Sequence, residues 1–234
     1  MSELGRVLMV IPARGGSKRL PRKNVLDLVG KPLLCWTVEA ALNTSIGATI
    51  LVTSDDNEIL NIVDRYADRG VFSHKRSSDL SSDTASSASV LVDAVLSQEN
   101  KGVVYSTVVL LQPTSPLRNS DDIIHAINVY KMTGCHDTVV SVVELDHPTA
   151  WAGKISSDSS FIDVDLSGKR SQDYEKEYRI NGAVYVLSVD VLMTQNSLFT
   201  KKIRASVMPR VRSLDIDTEF DFKICECIVN IGNH

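Results

Sequence analysis

The sequence predicts an α/β protein, a three-layer sandwich in which helices cover a mostly parallel β-sheet. Short apolar runs rich in β-branched residues recur along about two-thirds of the chain, and segments with helical apolar spacing separate them. The first run, Val7–Pro12, leads into a glycine turn, as a strand does before a helix. Strands that alternate with helices in this way form parallel sheets with helices on both faces.

The predicted strands are continuous apolar runs, which is typical of strands buried on both faces. A proline or a polar turn follows several of them. In chain order they are Val7–Pro12, Ala48–Thr53, Val108–Leu111, Val139–Val143, Ala183–Leu187 and Ile203–Val207.

The predicted helices have apolar residues at helical spacing. Pro32 can start the first helix, because proline fits a first turn. Ser120, which two aspartates follow, is a typical capped start for a later helix. The faces expected to be buried are Leu33, Trp36, Thr37 and Ala40; Ile59, Ile62, Val63 and Tyr66; Ala88, Leu91, Val92 and Val95; and Ile224, Cys227, Ile228 and Ile231.

The chain of 234 residues is expected to form a single domain, 1–234. One segment breaks the pattern, since residues 146–179 are polar and carry only short strand-like pieces such as Ser160–Val164. We interpret 146–179 as an arm inserted into the domain, with a small hairpin.

Charge and composition argue against several classes of protein. The 25 Lys and Arg residues against 29 Asp and Glu give a net charge of −4, which disfavours a general nucleic-acid binder. No apolar stretch approaches the ~20 residues that cross a bilayer, and no signal peptide is evident, so we expect no membrane partner and a cytoplasmic location. The four cysteines lack the paired spacing of a zinc site and are expected to be reduced.

The segment Ile11–Asn24 carries the most informative chemistry. It follows the first strand, at the edge where open α/β sheets bind ligands. Gly15 and Gly16 can expose backbone N–H groups to an anion. Neither the P-loop motif nor the dinucleotide motif is present, and a solvated basic loop is the alternative. The segment has five cations within ten residues, which favours an anionic ligand such as a polyphosphate. These cations are Arg14, Lys18, Arg19, Arg22 and Lys23.

Asp215 and Asp217 form a second informative pattern. Residues two apart in an extended segment point to one face, about 6–7 Å apart. The two carboxylates can therefore converge on Mg²⁺, which favours one or two carboxylates plus substrate phosphates. The alternative is that Asp217 caps a helix that begins near Thr218 while Asp215 lies on the surface, and spacing alone favours that cap.

Six stretches resemble, in the same order, the motifs of the CMP-sialic acid synthetases (acylneuraminate cytidylyltransferases). Several ordered motifs are more specific than any one of them, and together they extend over nearly the whole chain. They are Ile11–Asn24, Gly30–Leu33, Ser82–Ser87, Leu110–Arg118, Arg179–Tyr185 and Asp215–Asp221.

The resemblance implies a Rossmann-like fold of the nucleotide-diphospho-sugar transferase type. The implied reaction joins CTP to a nonulosonic (sialic-type) acid: the anomeric hydroxyl attacks the α-phosphate in line, which gives the CMP-sugar and pyrophosphate. Mg²⁺ (or Mn²⁺) is the implied cofactor. In the family the arm completes the sugar site of a neighbouring subunit, which implies a homodimer. A polar arm such as 146–179 is costly to order without a partner.

The resemblance also implies a role for individual residues. Those that would act in catalysis by holding the phosphates, directly or through the metal, are Arg14, Lys23 and the metal ligands Asp215 and Asp217. Those that would bind the nucleotide are Ala13, Arg14, Gly15, Lys23, Asn24, Arg76, Ala85 and Ser87. Those that would bind the sugar are Gln112, Arg170, Asn181, Tyr185 and Phe199, although Tyr185 and Phe199 can also be read as ordinary packing residues.

The chain departs from the family in the arm, and alternatives remain open. Thr149 follows His147 and a proline where a basic residue is usual, and the segment around Arg170 is one residue longer than the common spacing. A CMP-KDO synthetase shares the early Pro-Ala-Arg segment. Pseudaminic acid cytidylyltransferases fit the Leu110–Arg118 stretch less well, and legionaminic acid is an open acceptor. From a different class, the chain could be a nucleotide-sugar binding module that has lost turnover.

Overall fold

A seven-stranded sheet lies at the centre of the computed structural model, which describes residues 4–82, 84–165 and 167–232. In chain order the strands are β1 (Val7–Pro12), β2 (Asp27–Leu28), β3 (Lys31–Pro32), β4 (Thr49–Ser54), β5 (Val71–Lys75), β6 (Thr107–Leu111), β7 (Thr138–Glu144), β8 (Lys154–Ile155), β9 (Phe161–Ile162), β10 (Tyr178–Ser188) and β11 (Ile203–Val207). The order in the sheet is β11-β7-β10-β6-β1-β4-β5, while β2 pairs with β3 and β8 with β9.

Helices cover both faces of this sheet. They are α1 (Leu33–Leu42), α2 (Asn57–Asp64), α3 (Ser87–Glu99), α4 (Ser120–Met132), α5 (Val189–Gln195) and α6 (Glu219–Gly232). Side chains alternate along β1: Met9 and Ile11 join the core beneath α1, α2 and α4, whereas Leu8 and Val10 join the core beneath α3 and α5. This is the predicted three-layer α/β sandwich.

The sheet is mostly parallel, as predicted. β1 runs parallel to both β4 and β6, and the pairs β4–β5 and β7–β11 are also parallel. Only β10 is antiparallel to its neighbours β6 and β7 among the described strands of this sheet. The carboxyl ends of β1, β4, β5 and β6 therefore meet at one edge, and the loops that follow them face the same space.

All the predicted strands and helices are present, whereas β5, α5 and the two-residue strands β2 and β3 were not predicted. β5 is a half-exposed edge strand without a continuous apolar run, and α5 has only seven residues, so neither gives a clear periodic signal. β10 also begins earlier than the predicted Ala183. Tyr178 and Arg179, which we had assigned to the arm, pair with Glu144 and Val143 of β7.

The arm contains the expected hairpin, formed by β8 and β9. The strand-like piece predicted at Ser160–Val164 shortens to Phe161–Ile162. The arm's Leu166, and Asp83 of the Ser82–Ser87 stretch, lie outside the described residues.

The buried face of α6 differs from the predicted one. Phe222, Cys225 and Val229 are buried, whereas Cys227 is exposed and Ile231 is 74% exposed. The helix packs on a small separate core with Leu28 and Ile216, and this core, not the apolar spacing alone, determines which face turns inward. No helix in the described ranges is both long and apolar enough to cross a membrane.

Candidate active site

A basic turn, residues 13–24, leaves the carboxyl end of β1 and is held at both of its ends. The Ala13 N–H donates to the Thr53 carbonyl oxygen at 3.0 Å, which ties the start of the turn to β4. Asn24 Nδ2 donates to the Arg14 carbonyl oxygen at 2.9 Å, which closes the turn. Because Asn24 is itself buried, this brace is shielded from water.

The basic turn borders a cavity of about 510 Å³. Its other walls are the segments that follow β5 and β6, the start of α3 and the chain just before α6. The structure thus brings together candidates that lie far apart in sequence. The predicted site residues that line this cavity are Arg14, Lys23, Asn24, Arg76, Ala85, Ser87, Gln112 and Asp217.

The positive charge of the basic turn is directed mainly into the cavity. Arg22 is the exception: its guanidinium pairs with Asp56 and Glu58, and its backbone lies in the left-handed region at φ 59°. Arg22 holds the pKa of the Asp56 carboxyl below its usual value. The cations of the turn that line the cavity are Arg14, Lys18, Arg19 and Lys23.

The glycines of the turn do not present the row of free N–H groups that we expected. The Gly15 N–H donates to Asp55 Oδ1 at 3.2 Å, and the Ser17 N–H donates to the Gly15 carbonyl oxygen at 3.3 Å. A Cβ at position 15 would collide with the Asp56 carboxylate. Gly15 therefore allows a close approach to the end of β4, and side-chain cations carry the capacity of the turn for anions.

Lys23 joins the basic turn to the segment that precedes α6, 194 residues away. Its ammonium group donates to the Ile216 carbonyl oxygen and lies 3.4 Å from Asp217 Oδ1. Arg19 Nη1 donates to Asp217 Oδ2 at 2.9 Å. The basic turn and Asp217 therefore share one cleft.

Asp215 lies deeper than Asp217 and does not line the cavity. Its Oδ1 is buried without a hydrogen-bond partner among the described residues. Burial raises the pKa of Asp215, and the neighbouring Asp217 carboxylate raises it further, while a hydrogen bond from Thr114 and the charge of Lys23 act in the opposite direction. A buried carboxylate oxygen without a donor is suited to a cation.

Asp215 and Asp217 could supply only some of the oxygen ligands that Mg²⁺ needs. Within the described ranges no group of three or more His, Cys, Asp or Glu residues could hold a metal ion. Asp215 and Asp217 would thus supply two carboxylates, and phosphate and water oxygens would complete the shell, an arrangement that Mg²⁺ commonly adopts.

The alternative role of Asp217 as a helix cap is wrong. Thr218 is the residue that caps α6: the Asp221 N–H donates to Thr218 Oγ1 at 3.3 Å, and the Thr218 N–H donates to Asp221 Oδ2 at 2.8 Å. This reciprocal pattern is a capping box, which the Thr-x-x-Asp spacing could have indicated.

Arg76 lies at the end of the cavity near α3, where the chain leaves β5. It is only 5% exposed; its Nε donates to Ser81 Oγ at 2.8 Å, and its Nη1 has no partner among the residues that the structure describes. Burial lowers the pKa of Arg76, and the nearby Asp55 and Asp93 carboxylates partly offset this. An unpaired buried N–H at a cavity wall is suited to a hydrogen-bond acceptor on a ligand.

Of the predicted sugar contacts, only Gln112 lines the cavity. Its Oε1 would lie 3.4 Å from a Cβ placed on Gly182, whose φ of 79° favours glycine. Gln112 thus packs against the bulge in β10, at a site where a larger residue would crowd its amide.

Asn181 does not reach the cavity, contrary to our expectation. Its side chain is 3% exposed; Nδ2 donates to Ser213 Oγ at 2.9 Å, and Oδ1 accepts from Ser141 Oγ at 2.6 Å and from the Ala183 N–H at 3.2 Å. Because these partners use the hydrogen-bonding capacity of the amide inside the protein, Asn181 links β10, β7 and the chain before α6.

The remaining sugar candidates also lie outside the cavity lining. Tyr185 is buried in β10, where burial and the nearby Asp215 raise its pKa, and its ring meets that of Phe199 edge-on at 6.3 Å. Arg170 lies in the arm, and its N–H donates to Asp173 Oδ2 at 3.2 Å. A single chain does not bring Arg170 to the cavity.

Sequence reasoning missed two groups beside the site. Asp55 and Asp56 bind the basic turn, and their position directly after β4 was an available signal. Arg118 is only 1% exposed, and its Nη1 donates to the Gln112 carbonyl oxygen at 3.1 Å. No local pattern marks Arg118 as buried.

Comparison with known proteins identifies the family. Residues 8–153 match the family described as Cytidylyltransferase. The chain belongs to the cytidylyltransferase family. Over 97% of both chains, this cytidylyltransferase is 33% identical to a CMP-N,N'-diacetyllegionaminic acid synthase of Legionella pneumophila and 32% identical to a pseudaminic acid cytidylyltransferase of Campylobacter jejuni. It is also 34% identical, over 94% of its length and 51% of the relative, to an N-acylneuraminate cytidylyltransferase of Escherichia coli.

A solved structure supports the fold. A CMP:2-keto-3-deoxy-manno-octonic acid synthetase, in complex with CTP, superposes on 97% of this cytidylyltransferase and 99% of its own chain with a TM-score of 0.74 at 19% identity. The likeness establishes the Rossmann-like nucleotidyltransferase fold.

Proposed function

We propose that this cytidylyltransferase activates a nonulosonic acid with CTP and releases the CMP-sugar and pyrophosphate. The observation that carries the proposal is that the basic turn and Asp217 line one cavity. Lys23 and Arg19 extend from the turn and contact the Asp217 carboxylate. An anionic chain of phosphates requires concentrated positive charge, and its metal requires carboxylates beside that charge.

In the proposed reaction an oxygen–phosphorus bond forms between the anomeric hydroxyl and the α-phosphate. The bond from the α-phosphorus to the bridging oxygen of pyrophosphate breaks. Arg14 and Lys23 would neutralise the charge that develops on the transferred group, which is the main task of a protein in such transfers. Ala85 and Ser87 are proposed to lie against the cytosine or ribose, because their short side chains allow close approach, while Arg76 would donate a hydrogen bond.

Asp215 and Asp217 are proposed to hold Mg²⁺ (or Mn²⁺). When bound, the ion would add positive charge to the phosphate oxygens. The unpartnered Oδ1 of Asp215 supports this role. Asp217 pairs with Arg19 and Lys23 in this structure, so it would exchange those contacts for the ion while the two cations move to phosphate.

The acceptor is proposed to be N-acylneuraminic acid or a close nonulosonic relative. The names of the similar proteins refer to legionaminic, pseudaminic and N-acylneuraminic acids, and their identities lie within a narrow range, from 32% to 34%. Gln112, at the cavity wall nearest to β10, would hydrogen-bond the sugar, with Tyr185 and Phe199 forming a wall beyond it.

We propose that the active form is a homodimer in which the arm completes the partner's sugar site. The hairpin exposes three large apolar side chains, Ile155 at 78%, Phe161 at 53% and Ile162 at 45%. Burial of these side chains against a second copy would offset the entropy of ordering the arm. Arg170 would then bind the carboxylate of the sugar from across the interface. None of the four cysteines, all of which lie in the described residues, forms a disulfide, and this agrees with a proposed cytoplasmic location.

The test measures pyrophosphate release from CTP in the presence of Mg²⁺ with four acceptors: N-acetylneuraminic acid, legionaminic acid, pseudaminic acid and KDO. We expect release with at least one of the first three and none without an acceptor. Binding of CTP without release for any acceptor would instead support a nucleotide-sugar binding module. Release with KDO alone would contradict the proposed acceptor class.

A further inference from the structure

Arg118 is a buried cation that none of the proposed chemical steps uses. It lies between β6 and α4, at 1% exposure, and it does not line the cavity. Its Nη1 donates to two carbonyl oxygens, that of Gln112 at 3.1 Å and that of Ala183 at 3.3 Å. One guanidinium group thus links the end of β6 to the bulge of β10.

This placement is costly for the fold. Arg118 Nε and Nη2 lack hydrogen-bond partners in the described part of the chain. Burial lowers the pKa of Arg118 to about 10, with Asp122 acting in the opposite direction, so the side chain is still a cation at neutral pH. An apolar residue of similar volume is often equally or more stabilising at such a position.

The segment that Arg118 holds carries site residues on both sides. The carbonyl oxygen of Thr114, in the turn that Gln112 begins, accepts the Ile216 N–H at 2.8 Å. Ile216 lies between Asp215 and Asp217, and its own carbonyl oxygen accepts from Lys23. The turn after β6 therefore sets the position of Gln112 and of the aspartate pair together.

A second cation holds the same region from the other end. Arg212 Nε and Nη2 donate to the two oxygens of the buried Asp122 at 2.8 and 2.9 Å. Arg212 is three residues before Asp215, and Asp122 lies in the first turn of α4, where its charge acts on Arg118. The chain that bears the aspartate pair is thus fixed on both the α4 side and the β6 side.

We propose that Arg118 is a positioning residue for the acceptor side of the reaction: it holds the turn after β6 so that Gln112 and the aspartate pair meet the sugar and the phosphates. The proposal rests on the proposed function, since it assigns Gln112 to the acceptor. Arg118 acts through these residues and does not touch substrate.

The test compares Arg118→Met with Arg118→Lys and with the control Arg204→Met. Arg204 also pairs with a carboxylate, Asp137, at 2.8 Å, but lies on the edge strand β11. In Arg118→Met we expect kcat/KM for the acceptor to fall about 10- to 100-fold, as a misplaced group causes. CTP affinity measured by calorimetry in EDTA, where the aspartate pair holds no metal, should change by less than about twofold, because the basic turn is untouched.

Arg118→Lys should recover part of the loss, because its ammonium group can reach one of the two carbonyl oxygens. Equal losses of CTP affinity and acceptor kcat/KM in both variants would overturn the proposal, as would wild-type kinetics in Arg118→Met. If Arg118→Met fails to fold, the kinetics of Arg118→Lys test the proposal: a selective loss of acceptor kcat/KM supports it, and wild-type kinetics overturn it.

Amide hydrogen exchange separates this proposal from the proposed function. The segments 112–118 and 214–217 should exchange faster in Arg118→Met than in Arg204→Met, while β1 is unchanged. If the wild type releases no pyrophosphate with any acceptor, the proposed function fails, and the exchange rates still decide the proposal on Arg118. Unchanged exchange in both segments would overturn it.

Discussion

The basic turn and the arm are both polar and both charged, yet they are held in opposite ways. Lys23 and Asn24 in the basic turn are 8% and 5% exposed, and Lys23 contacts a residue 194 positions away. In the arm, Ile155 and Phe161 are 78% and 53% exposed. The basic turn takes its shape from the core of its own chain, whereas the arm exposes apolar surface for which this chain offers no cover in the described residues.

Contacts within the arm are mostly local. Lys154 Nζ lies 3.0 Å from Asp163 Oδ2, and the Tyr174 hydroxyl donates to Asp165 Oδ2 at 2.8 Å, each pair nine residues apart. The Trp151 ring lies 6.3 Å from that of Tyr174 and anchors the base of the arm. The difference agrees with the proposal that one chain preorganises the nucleotide half of the site, while the acceptor half depends on a second copy.

The largest expected effect is that of Lys23→Ala. Removal of a buried cation beside the proposed phosphate site should lower kcat about 10²- to 10³-fold. Pyrophosphate release at saturating CTP measures it. The matched control is Lys176→Ala in the arm, where an exposed lysine pairs with Glu144 at 3.0 Å and should change kcat less than about twofold. Similar kcat values for the two variants would contradict the claim that the basic turn, and not the arm, carries the catalytic charge.

Phe161→Asp should have an intermediate effect. A charge on the exposed hairpin should dissociate the proposed dimer and raise the KM for the acceptor about tenfold, without changing CTP affinity, because only the acceptor half needs the partner. Light scattering and steady-state kinetics give the two readouts. Val104→Asp, at a position 67% exposed and outside the arm, is the control. A variant that stays dimeric with an unchanged KM would contradict the proposed role of the arm.

The sequence could predict the features that depend on neighbouring residues, but not those that depend on contacts between distant parts of the chain. The strand that ends at Pro12 and the basic turn were predictable because motif and strand end are adjacent in the chain. Asp217 was predicted from its spacing to Asp215 and from the family resemblance. Asn181 was assigned to the sugar, but whether an amide faces a cavity or the core depends on partners such as Ser213, which are distant in sequence. The burial of Arg118 and the inner face of α6 likewise depend on tertiary packing, which local patterns do not encode.

The smallest expected effect is on stability. Asp215→Asn should raise the free energy of unfolding by about 1 kcal/mol, or Tm by roughly 2–4 °C, because it removes a buried charge with an unpartnered oxygen. Thermal unfolding in EDTA at pH 7 measures it, with the exposed Asp68→Asn as control.

The pH dependence of that difference has a fixed sign. Since burial raises the pKa of Asp215 in the folded protein, the ionised form is the costly one. The advantage of Asp215→Asn should therefore be full above the raised pKa and shrink as the pH falls through it. A variant less stable than wild type at pH 7 would show that Asp215 is stabilised by contacts other than those seen here.

The most direct test of the central claim, that a triphosphate lies between the basic turn and the aspartate pair, is calorimetric titration of CTP into wild type, Lys23→Ala and Asp217→Asn, each with Mg²⁺ and with EDTA. The account predicts that Lys23→Ala weakens CTP binding about tenfold or more. It also predicts that EDTA weakens binding to wild type but makes little difference to Asp217→Asn. Equal CTP affinity in all three proteins, with the same dependence on Mg²⁺, would contradict it.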